Sequence, residues 1–180
     1  MEKRPIFDVL PNDRTVFVGL LEATIRRYGW HCHAYCLMGN HFHLAVETPR
    51  ANIGNGMRYL KSRYAMWFND EATRVGALFE RRYFGEIVKT EAYAFELLRY
   101  IVLNPVRAHL CAHPGDWKWS SYCAVTGRAP APRFLHVAGT HQLFGEGARG
   151  ISLYERFVDD GVALIAARDA ELARLAMSGV

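Results

Sequence analysis

The stretch that most restricts this chain runs from Trp30 to Glu47, where two β-compatible segments flank the turn residues Met38-Gly39-Asn40. Trp30 to Leu37 is built of aromatic and small residues, and His41 to Glu47 alternates polar with apolar side chains, as a strand with one buried face does. A β-hairpin is expected here. Upstream, Val16, Phe17, Leu20, Leu21, Thr24, Ile25 and Tyr28 recur at helical spacing, with Asn12 or Asp13 as cap and Gly29 as stop. Downstream, residues 53–69 set Ile53, Met57, Leu60, Tyr64 and Trp67 on one stripe and Arg58, Lys61 and Arg63 elsewhere, the pattern of an amphipathic helix with a basic face.

Tyr83 to Lys89 reads as another strand, and Thr90 caps a helix expected to run to about Leu103. Asn104-Pro105 should halt it, because proline disfavours helical geometry in the residue before it. A turn-rich segment, His113-Pro114-Gly115-Asp116 and then Trp117 to Tyr122, leads to a proline-rich linker, and residues 152–176 read as mostly helical. Helices interleaved with short strands point to an α/β (α+β) sandwich on an antiparallel or mixed sheet. The expected organisation is a main domain at 1–127, a linker at 128–134 and a helical C-terminal extension at 135–180.

Charge narrows the choice of partner only a little. The chain of 180 residues carries 22 Lys and Arg against 18 Asp and Glu, and residues 151–180 hold only 3 of the basic ones against 5 acidic. The basic surface thus belongs to the main body. Only Lys3, Lys61, Lys89 and Lys118 are lysines; the remaining cations are arginines, whose planar fork suits phosphates and base faces. No apolar run approaches the roughly 20 residues that span a bilayer, and no signal-peptide core follows Met1, so a cytoplasmic protein is expected. Cys32, Cys36, Cys111 and Cys123 show no disulfide spacing and are expected as reduced thiols.

Chemistry can be sought in two places. His41 and His43 lie at i and i+2 on a strand and project to the same side, which gives a two-point clamp for a metal. His31 and His33 share that spacing, so one of the two pairs must serve some other purpose. On the helix after Thr90, Tyr100 and Asn104 are one turn apart, bringing a phenol and a carboxamide together on one face, with Tyr93 and Glu96 nearby. The alternatives are solvated histidines, a core tyrosine and a helix-capping asparagine. A zinc site built from Cys32, Cys36, His41 and His43 has suitable ligand types, but the two cysteines would stand about 13 Å apart on one strand.

Four blocks in fixed order carry a resemblance. They are Cys36-Leu37-Met38-Gly39-Asn40-His41-Phe42-His43-Leu44, Gly76-Ala77-Leu78-Phe79 running to Tyr83, Arg99-Tyr100-Ile101-Val102-Leu103-Asn104-Pro105-Val106-Arg107-Ala108, and Asp116-Trp117-Lys118-Trp119-Ser120-Ser121-Tyr122. Together they closely resemble the REP-associated tyrosine transposases, single-tyrosine HUH transposases of insertion sequences, over roughly residues 5–127. The resemblance implies a ferredoxin-like domain in which His41, His43 and Asn104 hold Mg²⁺ or Mn²⁺ and Tyr100 attacks a DNA phosphate. It further implies a 5′-phosphotyrosine product and single-stranded or hairpin DNA, often palindromic repeats, as substrate. Arg58, Lys61, Arg63, Arg81, Arg82, Arg99 and Arg107 would follow the phosphates, with Arg50 beside them and Tyr59, Tyr64, Trp67 or Trp117 as candidate stacking faces. The chain could act as a monomer or a homodimer. Two departures stand out: relatives carry a strand upstream of Arg4-Pro5-Ile6-Phe7 that this chain is expected to lack, and Gly39 replaces a usual proline. A truncated or domesticated copy that grips hairpin DNA without cutting it is the competing expectation.

Overall fold

A computed structural model describes residues 4–145 and 147–178. Helix α1 spans Asp13–Tyr28 and buries Phe17, Leu21, Thr24 and Ile25. Its start is fastened by Asp13 rather than Asn12: the Asp13 carboxylate accepts from the backbone N–H groups of Val9 (2.9 Å), Leu10 (3.1 Å) and Arg14 (2.6 Å). Gly29 ends the helix at φ 69°, donating its N–H to the Ile25 carbonyl. Few residues other than glycine take that left-handed conformation without strain.

The expected hairpin is present. Strand β1 (His31–Leu37) pairs antiparallel with β2 (Phe42–Glu47), with Leu37 opposite Phe42 and His31 opposite Glu47. β1 is also held on its other side, where Leu37 N–H donates to Trp119 O, Ser121 N–H to Tyr35 O and His136 N–H to Cys32 O. Among the described residues no strand pairs with the outer edge of β2.

Helix α2 (Ile53–Glu71) packs on α1 through Met57, Leu60, Tyr64 and Phe68. Its Gly56 is a contact requirement, because a Cβ there would lie 2.1 Å from the Trp30 ring. Helix α3 (Glu91–Arg107) begins at Thr90, whose hydroxyl accepts from Tyr93 N–H at 3.2 Å, and it lies against both strands. After a 3-10 turn at Pro114–Asp116 and the short α4 (Tyr122–Val125), helices α5 (Val137–Phe144) and α6 (Gly147–Ser178) close the fold. Phe134, Leu135, Tyr154 and Val158 join the main core, and α6 packs on α3 and α5. Gly161 lets α6 approach α3, since a Cβ there would meet Leu103 at 2.6 Å. The architecture is therefore mixed α+β, as expected. No helix among the described residues is long and apolar enough to cross a membrane.

Two local expectations fail. Tyr83–Lys89 is not a strand: it carries no regular structure, and Phe84 and Ile87 are 87% and 80% exposed. β-compatible side chains make a strand only where a neighbouring edge takes up the backbone N–H and C=O groups, and no described element offers one here. Nor does α3 stop before Asn104-Pro105; it runs through to Arg107. Proline leaves the Ile101 carbonyl without its helical donor, and the Asn104 side-chain amide compensates by donating to Tyr100 O (2.8 Å) and Ile101 O (3.5 Å). Burial of Val102, Leu103, Pro105 and Val106 holds this last turn in helical form.

Candidate active site

The hairpin and α3 converge on one group of side chains. His41 and His43 stand with ring centroids 4.8 Å apart, and the Tyr100 ring meets His43 edge-on at 5.6 Å and 90°. These residues are nearly sixty positions apart in sequence. They meet because α3 packs against both β1 and β2. Tyr100 remains 41% exposed, so its phenol can be reached from solvent.

The two imidazoles differ in electrostatics. His41 Nδ1 lies in hydrogen-bond contact with the Asn40 side-chain oxygen, so the turn residue next to it helps to orient the ring. His43 Nε2 is buried without a hydrogen-bond partner. Burial, reinforced by the charge of neighbouring His41, pushes the His43 imidazole down to about 4, so the ring is neutral at neutral pH, the form a metal ligand requires. On α3, Asn104 is buried and commits its amide nitrogen to the backbone, leaving the side-chain oxygen as its donor atom for a cation. Arg107 closes the row, its guanidinium 5.0 Å above the Tyr100 ring.

The other candidate cations are spread more widely. Arg58, Arg63, Arg81 and Arg82 are exposed, and Arg58 donates to Asn55 Oδ1 at 3.0 Å. Lys61 ties the loop after Phe79 to α2: it donates to the Arg81 carbonyl and sits 4.7 Å over the Phe79 ring, where partial burial lowers its pKa. Arg99 turns away from Tyr100. It pairs with Glu96 at 2.7 Å and lies 4.3 Å over the Phe157 ring of α6. Among the stacking candidates, Tyr64 is fully buried and donates to Ile6 O, Trp67 is half-buried against Tyr64, and Tyr59 packs beside Tyr28 and Arg27.

Sequence reading overlooked Arg14. This buried arginine donates to Met38 O at 3.2 Å, pairs with Asp8 at 2.7 Å and lies 5.1 Å and 5.6 Å over the Trp117 and Trp119 rings. Trp117 donates to Leu37 O, and the N–H groups of Ile6 and Phe7 both donate to Gly39 O. These bonds fasten the Met38-Gly39-Asn40 turn that delivers His41. A basic residue in the first turn of an otherwise apolar helix face was the available signal. Cys32 and Cys36 take no part: Cys32 Sγ donates to Ala34 O, and among the described residues no three His, Cys, Asp or Glu side chains are arranged to hold a metal ion.

A helix-borne tyrosine thus stands against a histidine pair at the start of β2, His41 in the turn and His43 on the strand, and it is the sequence comparison that gives the class of protein. The family described as "Transposase IS200 like" matches residues 5–104, more than half of the chain, and the chain belongs to that family. A Haemophilus influenzae protein, itself provisionally assigned as a REP-associated tyrosine transposase, is 23% identical over an alignment 117 positions long that covers 59% of this chain and 66% of the relative's length. No solved structure matches the chain.

Proposed function

We propose that this chain cleaves and rejoins single-stranded or hairpin DNA, with Tyr100 as nucleophile and a divalent metal, Mg²⁺ or Mn²⁺, held by His41, His43 and Asn104. The observation that carries this reading is the edge-on contact of Tyr100 with His43, whose buried Nε2 has no hydrogen-bond partner among the described residues. An orphaned, neutral ring nitrogen beside a second imidazole, with the Asn104 amide oxygen one helical turn from Tyr100, supplies donor types that a divalent cation accepts. When bound there, such an ion would polarise the scissile phosphate and offset the charge that develops on it.

The chain's own groups supply the rest. A phenol is a weak nucleophile, and the cationic Arg107 above the Tyr100 ring puts a positive charge beside the phosphate that the phenol would attack. The phenolic oxygen bonds to the scissile phosphorus and the bond from phosphorus to the 3′ oxygen breaks. That oxygen leaves as a free hydroxyl, taking up a proton as the phenol releases its own. The resulting 5′-phosphotyrosine keeps an ester linkage, so rejoining by a 3′-hydroxyl needs no nucleotide cofactor. Arg58, Arg63, Arg81 and Arg82, with Lys61 behind them, supply cations for the DNA backbone, while Arg99 acts mainly by fixing α6 on α3.

The test is incubation of labelled hairpin DNA with Mg²⁺ or Mn²⁺, followed by denaturing electrophoresis of wild type and Tyr100→Phe. A protein–DNA adduct in wild type alone supports the proposal. Salt-sensitive binding with no adduct under either ion supports the binding-only alternative, and cleavage that survives Tyr100→Phe removes the tyrosine from the mechanism.

A further inference from the structure

The second histidine pair lies at the opposite end of the hairpin. The register of β1 on β2 shifts between Cys32 and Ala34, so His33 is the extra residue of a β-bulge, a device that redirects a side chain. His33 Nε2 comes within 3.5 Å of Glu47 Oε2, and His31 Nδ1 within 3.6 Å of the same oxygen. A third imidazole arrives from outside the sheet. His136, directly before α5, has its ring centroid 5.2 Å from that of His31 and 5.3 Å from that of His33.

The start of α5 is packed directly onto these rings. His136 N–H donates to Cys32 O at 2.7 Å, and Thr140 Oγ1 donates to His33 O at 3.1 Å. Gly139 makes room for the contact, since a Cβ there would lie 2.5 Å from His136 Nδ1 and 3.1 Å from His33 Cε1. One imidazolium balances the Glu47 carboxylate, but each further proton adds a positive charge about 5 Å from another ring, well inside the distance over which salt screens. The positive end of the α5 macrodipole also lies at His136 and opposes added charge there. His33 Nδ1 is buried with no hydrogen-bond partner among the described residues, so an N–H formed there on protonation would go unpaired.

We propose that His31, His33 and His136, with Glu47 beside them, form a pH-sensitive latch that holds the start of α5 on the hairpin when the rings are neutral and releases it on acidification. The groups whose charges act on His33 are Glu47, His136 and His31. On the elements packed against α5, Glu155 and Asp159 of α6 are taken up by Arg128 and His113, and His141 of α5 itself is turned to the Val125 carbonyl of α4. Burial, the largest influence on His33, lowers its pKa. A histidine that resists protonation in the fold but accepts it once released stabilises the docked state above the ordinary histidine range near about 6.5, and that stability is lost as pH falls through it. Neither Tyr100 nor His43 is part of the cluster, so the latch stands or falls independently of DNA cleavage.

Hydrogen exchange of the full chain, read by mass spectrometry and corrected for the intrinsic pH dependence of exchange, tests the latch. Between about pH 7.5 and about pH 5.5, wild type should lose at least about tenfold of the protection over residues 136–144 while α2 keeps its own. In His31→Gln with His136→Gln, both surface changes checked for folding by circular dichroism, that loss should shrink to less than about threefold. Glu47→Gln removes the counter-charge, so release should begin at a higher pH than in wild type. Protection over 136–144 that does not change with pH in wild type overturns the proposal. So does a loss of the same size in the histidine variant, or one spread equally over α2, which would be global acid unfolding.

Discussion

The two His-x-His pairs of the hairpin have the same spacing but different surroundings. His43 of the first pair faces a phenol brought by α3, whereas His31 and His33 face a carboxylate from β2 and an imidazole from the segment before α5. Spacing on a strand sets only the direction in which two rings point. What a neighbouring element presents to them decides whether they serve chemistry or cohesion.

The largest expected effect separates the two ends. His43→Gln should lower hairpin cleavage by at least about a hundredfold, in the range seen when a group central to transition-state stabilisation is removed. His31→Gln should leave the rate within about twofold under Mg²⁺; a comparable loss in both, measured by single-turnover cleavage, would dissolve the distinction. Asn104 sharpens the nearer end. Asn104→Ala removes both a donor oxygen and the donor to the Tyr100 and Ile101 carbonyls, so it should cost about 1–3 kcal/mol of stability by urea unfolding as well as activity. Asn104→Asp keeps an oxygen donor without that N–H. It should lose similar stability yet retain more metal-dependent cleavage than alanine.

Arg14→Met tests the scaffold beneath the nearer pair. Loss of the donor to Met38 O should destabilise the fold by about 1–3 kcal/mol, and cleavage should fall even at temperatures where circular dichroism shows native helix. Full cleavage at full folding would show that the turn needs no such fastening. The smallest effect concerns the thiols of β1. Burial pushes Cys32 and Cys36 up to about 12, so in native protein near pH 8 both should resist a thiol reagent while the partly exposed Cys123 reacts. Rapid modification of all thiols would mean that β1 opens readily.

Local chemistry made much of this fold legible before any coordinates. Helical periodicity marked α1 and α2, Gly29 marked the end of α1 and Thr90 the start of α3, and alternation around Met38-Gly39-Asn40 marked the hairpin. Each depends on residues within a few positions of one another. Tyr83–Lys89 and the end of α3 were misread for a shared reason: the first has strand-like residues but no edge to pair with, and the second has a proline that buried packing and the Asn104 amide accommodate.

At the site, the sequence by itself determined which donor and nucleophile types were present and that His41 with His43, and Tyr100 with Asn104, share a face within their own elements. Only the tertiary structure decided that Tyr100 meets His43, that Arg99 lies over Phe157, that Arg14 lies buried under the turn, and that His136 joins His31 and His33. Those pairings span roughly sixty to a hundred positions in most cases, and even the shorter reach from Arg14 to Met38 crosses from helix to turn. They arise from packing of one element on another, which no local periodicity encodes.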